Sequence, residues 1–388
     1  MRTTLVATAL VLALGGAATP AVAAPPTPHS TTAQPGLPAL LAQLPNGNAT
    51  AALVRVGGTQ GTFTGSGGVH DLKTQNPADP RARFRVGSVT KVFTAAVVLQ
   101  LAGEGRVDLD RSVRAYLPEL IPASYQHVTV RQLLNHTSGI PSYDSGSGSG
   151  DTLDAWYAHR FDRHDPAAMV RQATSQKRLF EPGTQQKYDN IGYTVAGLLI
   201  EKVTHDSYAH QVQRRILKPL GLRDSYFPGA DPTIHGPHNH GYQEFVKADG
   251  TKELRDVTVW GATEAFAAGD LISTTADLET FLRSLFRGEV VRGPLLKEMF
   301  TTPGPDVHLY GTDEPSAYSA GLETMELGGR QVWGKTGGRW GYNAVIAATP
   351  DLSRTLVYSV NSTDAKGKDM NPTALTIVAT TFGPPTHH

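Results

Sequence analysis

Three consecutive strand-like runs close this chain: "RQVWGKTGG", "YNAVIAATPD" and "RTLVYSVNS", at 330–338, 342–351 and 354–362. Each is rich in β-formers and bounded by turn residues, so together they read as an antiparallel meander. Near the other end, "AALVRVGG" (51–58) and "RARFRVG" (81–87) read as short strands, with the Gly-rich "GTFTGSGG" between them. Residues 111 to 264, in between, read as mostly helical with loops. Strands at both ends of a helical insertion mean that the two ends complete one sheet. The expected fold class is α/β (α+β), an antiparallel sheet flanked by helices with an inserted, mostly helical domain. The implied boundaries are 40–110 and 265–385 for a discontinuous sheet domain, and 111–264 for the helical one. No internal repeat is visible.

The helix that begins near Ser88 carries Val92, Phe93, Ala96, Val97 and Leu101 at helical spacing. It stops at "GEG", where Gly103 or Gly105 can take the left-handed cap. "TVRQLLNHTSG" is a short helix led by Thr129, and "IGYTVAGLLIEKVTHDS" and "YAHQVQRRILKPLGL" are two more. Between the first two lies "SYDSGSGSGD" (142–151), a Gly/Ser loop. In "TTADLETFLRSLFRG", Thr274 and Asp277 form a capping pattern and Gly288 ends the helix. "PTALTIVATTF" is the last helix.

The first 23 residues pattern as a secretory signal, with Arg2, an apolar run, and a small-residue cleavage site at Ala21-Val22-Ala23. That run is too short and too Gly/Ala-rich to span a membrane. The Pro/Thr-rich stretch after it, within 24–39, reads as a disordered leader. No later stretch approaches about 18 apolar residues. The mature protein is therefore expected to be secreted, monomeric and without a membrane anchor. Formal net charge is zero, so the basic surface that a nucleic-acid partner requires is missing. There is no cysteine, which excludes disulfides and thiol chemistry.

Three short motifs carry chemistry. In "SVTK", Ser88 stands at a helix N-terminus, where unpaired N–H groups stabilise developing negative charge. Lys91 is one turn on, within reach of the Ser88 hydroxyl. A lysine with an ordinary pKa of about 10.4 is a poor base at neutral pH, so burial or a neighbouring cation must lower it. The alternative is a capping serine and a solvated lysine. In "KTG", Lys335 is a fixed cation, Thr336 a hydroxyl, and the Gly338 N–H a candidate oxyanion donor; a strand-end lysine in a turn is the alternative. In "KYDNIGY", Tyr188 can act as base and then acid if two nearby lysines lower its pKa. Asn190 can bridge a catalytic lysine and a substrate amide, or simply cap the following helix.

In this order the three motifs resemble the signature set of penicillin-recognising serine hydrolases. The resemblance is to the branch with class C β-lactamases and soluble D-alanyl-D-alanine carboxypeptidases. "TVRQLLNHTSGI", "FEPGTQQKYDNIGYTVAGLLIEKVT", "LKPLGLRDSYF" and "AAGDLISTTADLETFL" extend it over roughly 40 to 384. It implies a β-lactamase-like fold and an acyl-enzyme at Ser88. Lys91 and Tyr188 then handle the proton, and Asn190 and Lys335 orient the substrate. The N–H groups of Ser88 and Gly338 hold the oxyanion, and Trp260 presents an aromatic ring to the cleft, a packed core tryptophan being the alternative. No cofactor is implied. The substrates implied are a peptidoglycan-type peptide or a small amide, ester or β-lactam. A D-Ala-D-Ala carboxypeptidase is the leading reading. A class C-like β-lactamase and a D-amino-acid amidase or esterase are the alternatives, with a non-catalytic binding module outside the enzyme class.

Five features depart from that pattern or lie outside it. The carboxypeptidases have "HTG" where this chain has "KTG", and an arginine in the preceding strand where this chain has Glu323 and Thr324. Arg339 is a possible substitute for that arginine. Asp189 replaces the usual serine inside the tyrosine motif. His235, His238 and His240 cluster in "IHGPHNHGY", but the run lacks ligand spacing, so a solvated loop is expected and no metal. His136, in "NHTSG", is given no role.

Overall fold

The computed structural model describes residues 30–31, 36–143, 153–247 and 249–383. The expected signal and most of the expected leader, the terminal His387–His388 and most of the Gly/Ser loop at 142–151 lie outside them. From the N-terminal side come β1 (Ser30–Thr31), α1 (Gly36–Leu41), β2 (Ala49–Gly57), β3 (Thr62–Gly68) and β4 (Phe84–Arg85). The Gly-rich run expected between two strands is thus itself a strand, β3, while 81–87 supplies only a two-residue pairing. The glycines are the reason: a Cβ on Gly67 would fall 2.1 Å from the Leu41 carbonyl oxygen, and one on Gly68 2.1 Å from that of Thr50. Part of the expected disordered leader also has structure, with β1 paired to β3 and Leu37 of α1 buried.

A 3₁₀ turn (Gly87–Val89) leads into α2 (Thr90–Gly103). Then come α3 (Val130–Leu134), α4 (Leu153–His159), α5 (Pro166–Thr174), β5 (Gln185–Gln186), α6 (Ile191–Thr204) and α7 (Tyr208–Val212), which runs into a π-helical turn at 213–217. The rest of the expected helical region departs from it. Residues 218–241 are irregular, and β6 (Tyr242–Val246) and β7 (Lys252–Asp256) form a hairpin.

The chain closes with β8 (Ile272–Ser273), α8 (Thr275–Phe286), α9 (Pro294–Lys297), β9 (His308–Leu309), β10 (Glu323–Leu327), β11 (Arg330–Arg339), β12 (Tyr342–Ala348), β13 (Thr355–Ser362) and α10 (Pro372–Phe382). The main sheet has the order β1-β3-β2-β13-β12-β11-β10, antiparallel throughout. The N-terminal β2 pairs with the C-terminal β13, Leu53 opposite Ser359, so the two ends do complete one sheet.

Period-2 alternation sends the sheet's side chains into two cores. Ala344, Ile346 and Ala348 face α2 and α8, while Val345 and Ala347 face α1 and α10. α2 is buried on every side from Thr90 to Leu99, with Phe93 stacked on Phe281 of α8 at 3.7 Å. It packs on the sheet-side helices as well as on α6 and α7. The helix carrying the first motif is therefore the axle between the sheet and the helical region.

Candidate active site

Backbone contact fixes where Ser88 sits. The 3₁₀ turn lies directly against β11, and only glycine allows it to come so close. Gly87 has φ +54°, and a Cβ there would fall 2.8 Å from the Gly338 nitrogen. A Cβ on Gly337 would fall 2.0 Å from the Val86 carbonyl oxygen and 3.1 Å from the Ser88 nitrogen. The crossing brings the Ser88 and Gly338 backbone together beside a partly exposed Ser88 side chain, as an oxyanion-binding pair requires.

Lys91 is fully buried, which removes the solvated-lysine alternative. Its Nζ lies 2.7 Å from Asn190 Oδ1, 2.8 Å from the Ala268 carbonyl oxygen and 3.2 Å from Ser88 Oγ. Burial, and then the charge of Lys335, holds its pKa well below the ordinary lysine value. A neutral amine has two N–H donors and one lone pair. Asn190 and Ala268 offer oxygen acceptors for the two donors, which leaves the lone pair for the Ser88 hydroxyl. The serine proton thus has an acceptor already in place.

Tyr188 behaves differently from the sequence expectation. Burial pushes its phenol above the ordinary range, outweighing the Ser88 hydroxyl, which favours the anion. Its Oη is buried without a well-aligned partner. Lys91 and Lys335 each hold their Nζ 4.9 Å from the centre of its ring. The resting tyrosine is therefore a proton donor, and Lys91 is the better base.

The tyrosine motif divides its labour. Asn190 precedes α6 but makes no side-chain capping bond. Asp189 Oδ1 accepts from the Gly192 N–H at 2.5 Å in its place, leaving the Asn190 amide oxygen for Lys91. Asp189 is buried beneath the site with His136, whose Nδ1 is 3.5 Å from Asp189 Oδ2 and whose ring packs 4.6 Å from that of Tyr188. His136 has φ +61° and wedges the floor under the tyrosine.

Lys335 is buried on the other side of Ser88, 3.4 Å from Glu323 Oε1 and 3.5 Å from Thr336 Oγ1. Thr336 donates both its N–H (3.0 Å) and its hydroxyl (2.9 Å) to the same Glu323 oxygen. The sequence flags Glu323 only as a departure. Its grip on Thr336 depends on the pairing of β10 with β11, which no local pattern reports.

Trp260 is not a cleft residue. Its ring is fully buried between Arg85 (4.2 Å) and Arg339 (4.7 Å). Arg339 in turn donates to Glu264 at 2.7 Å, so it is committed elsewhere and does not stand in for a substrate-binding arginine. The aromatic rings that line a cleft are Trp156 and Trp340, 4.5 Å apart. With His164, Glu264, Arg339 and Lys366 they enclose about 390 Å³ at the end of β11. Both tryptophans went unnoticed because neither lies in a motif. Among the described residues no cluster could hold a metal. His240 pairs with Asp256 at 2.6 Å, and its ring packs on those of His70 and His238.

Residues 37–380 match the family model described as Beta-lactamase. Penicillin-binding protein 4* of Bacillus subtilis (strain 168) is 27% identical over 76% of this chain, a match that spans 64% of that protein's length. Among solved structures, a D-stereospecific amidohydrolase from Streptomyces sp. is 32% identical, with a TM-score of 0.73 over 86% of this chain and 94% of its own. The fold also matches D-amino acid amidase from Ochrobactrum anthropi SV3, 24% identical, with a TM-score of 0.70 over 86% of this chain and 92% of that one. No helix among the described residues is long and apolar enough to cross a membrane.

Proposed function

The chain belongs to the beta-lactamase family of serine hydrolases, and from that premise we propose that it is an exported amidohydrolase forming an acyl-enzyme at Ser88 on small amides and peptides of D-amino acids. The observation that carries this reading is the buried Lys91 Nζ, 3.2 Å from Ser88 Oγ with Asn190 Oδ1 at 2.7 Å and the Ala268 carbonyl oxygen at 2.8 Å. Ser88 Oγ adds to the substrate carbonyl carbon and passes its proton to Lys91 Nζ. The N–H groups of Ser88 and Gly338 take the oxyanion, a contribution of about 3–4 kcal/mol per donor in other hydrolases. When the C–N bond breaks, neutral Tyr188 gives its proton to the leaving nitrogen and recovers one from the Lys91 ammonium. Water then cleaves the ester by the reverse sequence, and the acid product leaves. The D configuration is supported by the name of the Streptomyces relative at 32% identity.

A carboxypeptidase acting on D-Ala-D-Ala ends is the second reading, favoured by Lys335 and Thr336, which precede the Gly337 that packs against the Ser88 backbone and supply a cation and a hydroxyl that could meet a carboxylate. Both readings share the nucleophile. Intact-protein mass after brief exposure to a fluorophosphonate or to penicillin should rise by one acyl or phosphonyl group, and Ser88→Ala should abolish the rise. Turnover of D-phenylalaninamide retained in purified Ser88→Ala would sink the mechanism. A penicillin adduct that persists for an hour would place the enzyme with slow deacylators; drug consumed with no adduct would place it with β-lactamases.

A further inference from the structure

A lysine ammonium, a threonine hydroxyl and a backbone N–H that converge on one point make an anion site. Lys335 and Thr336 supply all three, and the point is occupied by the protein's own Glu323 Oε1, at 3.4, 2.9 and 3.0 Å. The site is largely shielded from solvent: Lys335 is buried, and the Glu323 side chain is 12% exposed. Glu323 is also held from behind. It opens the edge strand β10, opposite Gly334 of β11, two residues after Gly321, where an added Cβ would fall 2.9 Å from Ala95 Cβ and 3.3 Å from the Lys91 carbonyl oxygen. The carboxylate is thus set by the sheet and is not a passing surface side chain.

We infer that Glu323 is a specificity-determining residue, a built-in substitute for a substrate carboxylate that makes the enzyme select amides and peptides whose leaving group carries no carboxylate. This inference rests on the acyl-enzyme reading above and narrows it. A leaving group ending in a carboxylate would need the same three donors. It must either displace Glu323 from two hydrogen bonds in a largely buried site or lie beside it as a second anion sharing one ammonium, and both are unfavourable. A neutral or cationic leaving group meets neither cost. The leading carboxypeptidase expectation then gives way to amide cleavage, not because Lys335 is absent but because its charge is already answered.

The test compares two substrates that differ only at that end, D-phenylalanyl-D-alanine and its N-methylamide, with release of D-phenylalanine followed in both by chromatography and D-phenylalaninamide as control. The wild type should cleave the shared bond of the methylamide at least tenfold faster, in kcat/KM, than that of the free acid. Glu323→Gln keeps the shape and removes the charge. It should shrink that preference about tenfold, chiefly by lowering KM for the acid. Equal wild-type rates on the pair, including no cleavage of either, would overturn the inference without any variant, and so would a ratio unchanged in Glu323→Gln. Failure of the D-phenylalaninamide control together with absent fluorophosphonate labelling would instead remove the acyl-enzyme reading itself.

Discussion

At the residue scale the site turns on one amine kept neutral. Lys91 loses its proton easily because burial penalises the ammonium and because Lys335 adds a second positive charge nearby. The reactive form is the free amine, so acylation should fall on the acid side as Lys91 takes up a proton. Replacing Lys335 by glutamine removes one of the two causes and makes protonation easier. The Lys91 pKa therefore rises, and the acid limb of the acylation profile moves to higher pH. Rates of fluorophosphonate labelling between about pH 5 and 10 should show that upward shift, smaller than a full return to ordinary lysine behaviour because burial, the larger cause, remains. A limb that stays put or moves down would mean that Lys91 is not the base. Ser88, Lys91, Tyr188, Asn190 and Lys335 stand out in the sequence by residue type and spacing, and the fold brings Lys91 to both Ser88 and Asn190. The direction of the Tyr188 shift was not legible. It is set by burial among His136, Tyr193 and Tyr318, and those neighbours meet only in the folded chain.

At the scale of elements the decisive object is the crossing of the 3₁₀ turn with β11. Strands approach other backbone this closely only where side chains are absent. In Gly337→Ala the added methyl would lie 2.0 Å from the Val86 carbonyl oxygen, a backbone atom that no rotamer change can move. The strand and the turn must separate, and the Ser88 and Gly338 N–H groups separate with them. Overpacking of this kind costs about 1–3 kcal/mol, and a displacement of about 1 Å at reacting atoms can cost roughly 100-fold in rate. Gly337→Ala should therefore lose at least that factor in acylation while its melting temperature falls. Labelling at the wild-type rate would show that the crossing does not position the site. Elements with a strong period were readable: α6 stands where its apolar spacing puts it, and α8 where its spacing and its Thr274 cap do. The β6–β7 hairpin was missed although Asp249-Gly250 marks its turn, because its half-exposed strands carry no long apolar run. The choice between cleft and core for Trp260 was not readable for a related reason. Two arginines from distant segments close over it, so its burial is a tertiary fact.

At the scale of the whole molecule, the order of the sheet explains why a site shared between sheet and helices can be rigid. Pairing of β2 with β13 ties the two ends of the chain together, and α2 fills the space between that sheet and the helical region. That much could be anticipated from strands at both ends of the sequence, whereas the division of the interior into two cores could not, since it depends on which sheet face each helix covers. The division has a functional consequence. Ile377 of α10 is fully buried in the core beneath the face opposite α2, among Leu37, Val54, Leu356 and Phe382. None of the groups around Ser88 belongs to that cluster. Ile377→Ala should lower unfolding stability by about 2–5 kcal/mol, the usual effect of truncating a buried isoleucine. Its kcat/KM, per site titrated with fluorophosphonate, should stay at the wild-type value. Denaturant unfolding and active-site titration on the same preparation make the comparison. A loss of kcat/KM in step with stability would mean that the sheet transmits strain from one core to the other, and that α10 holds the Ser88–β11 crossing in place as well as covering the sheet.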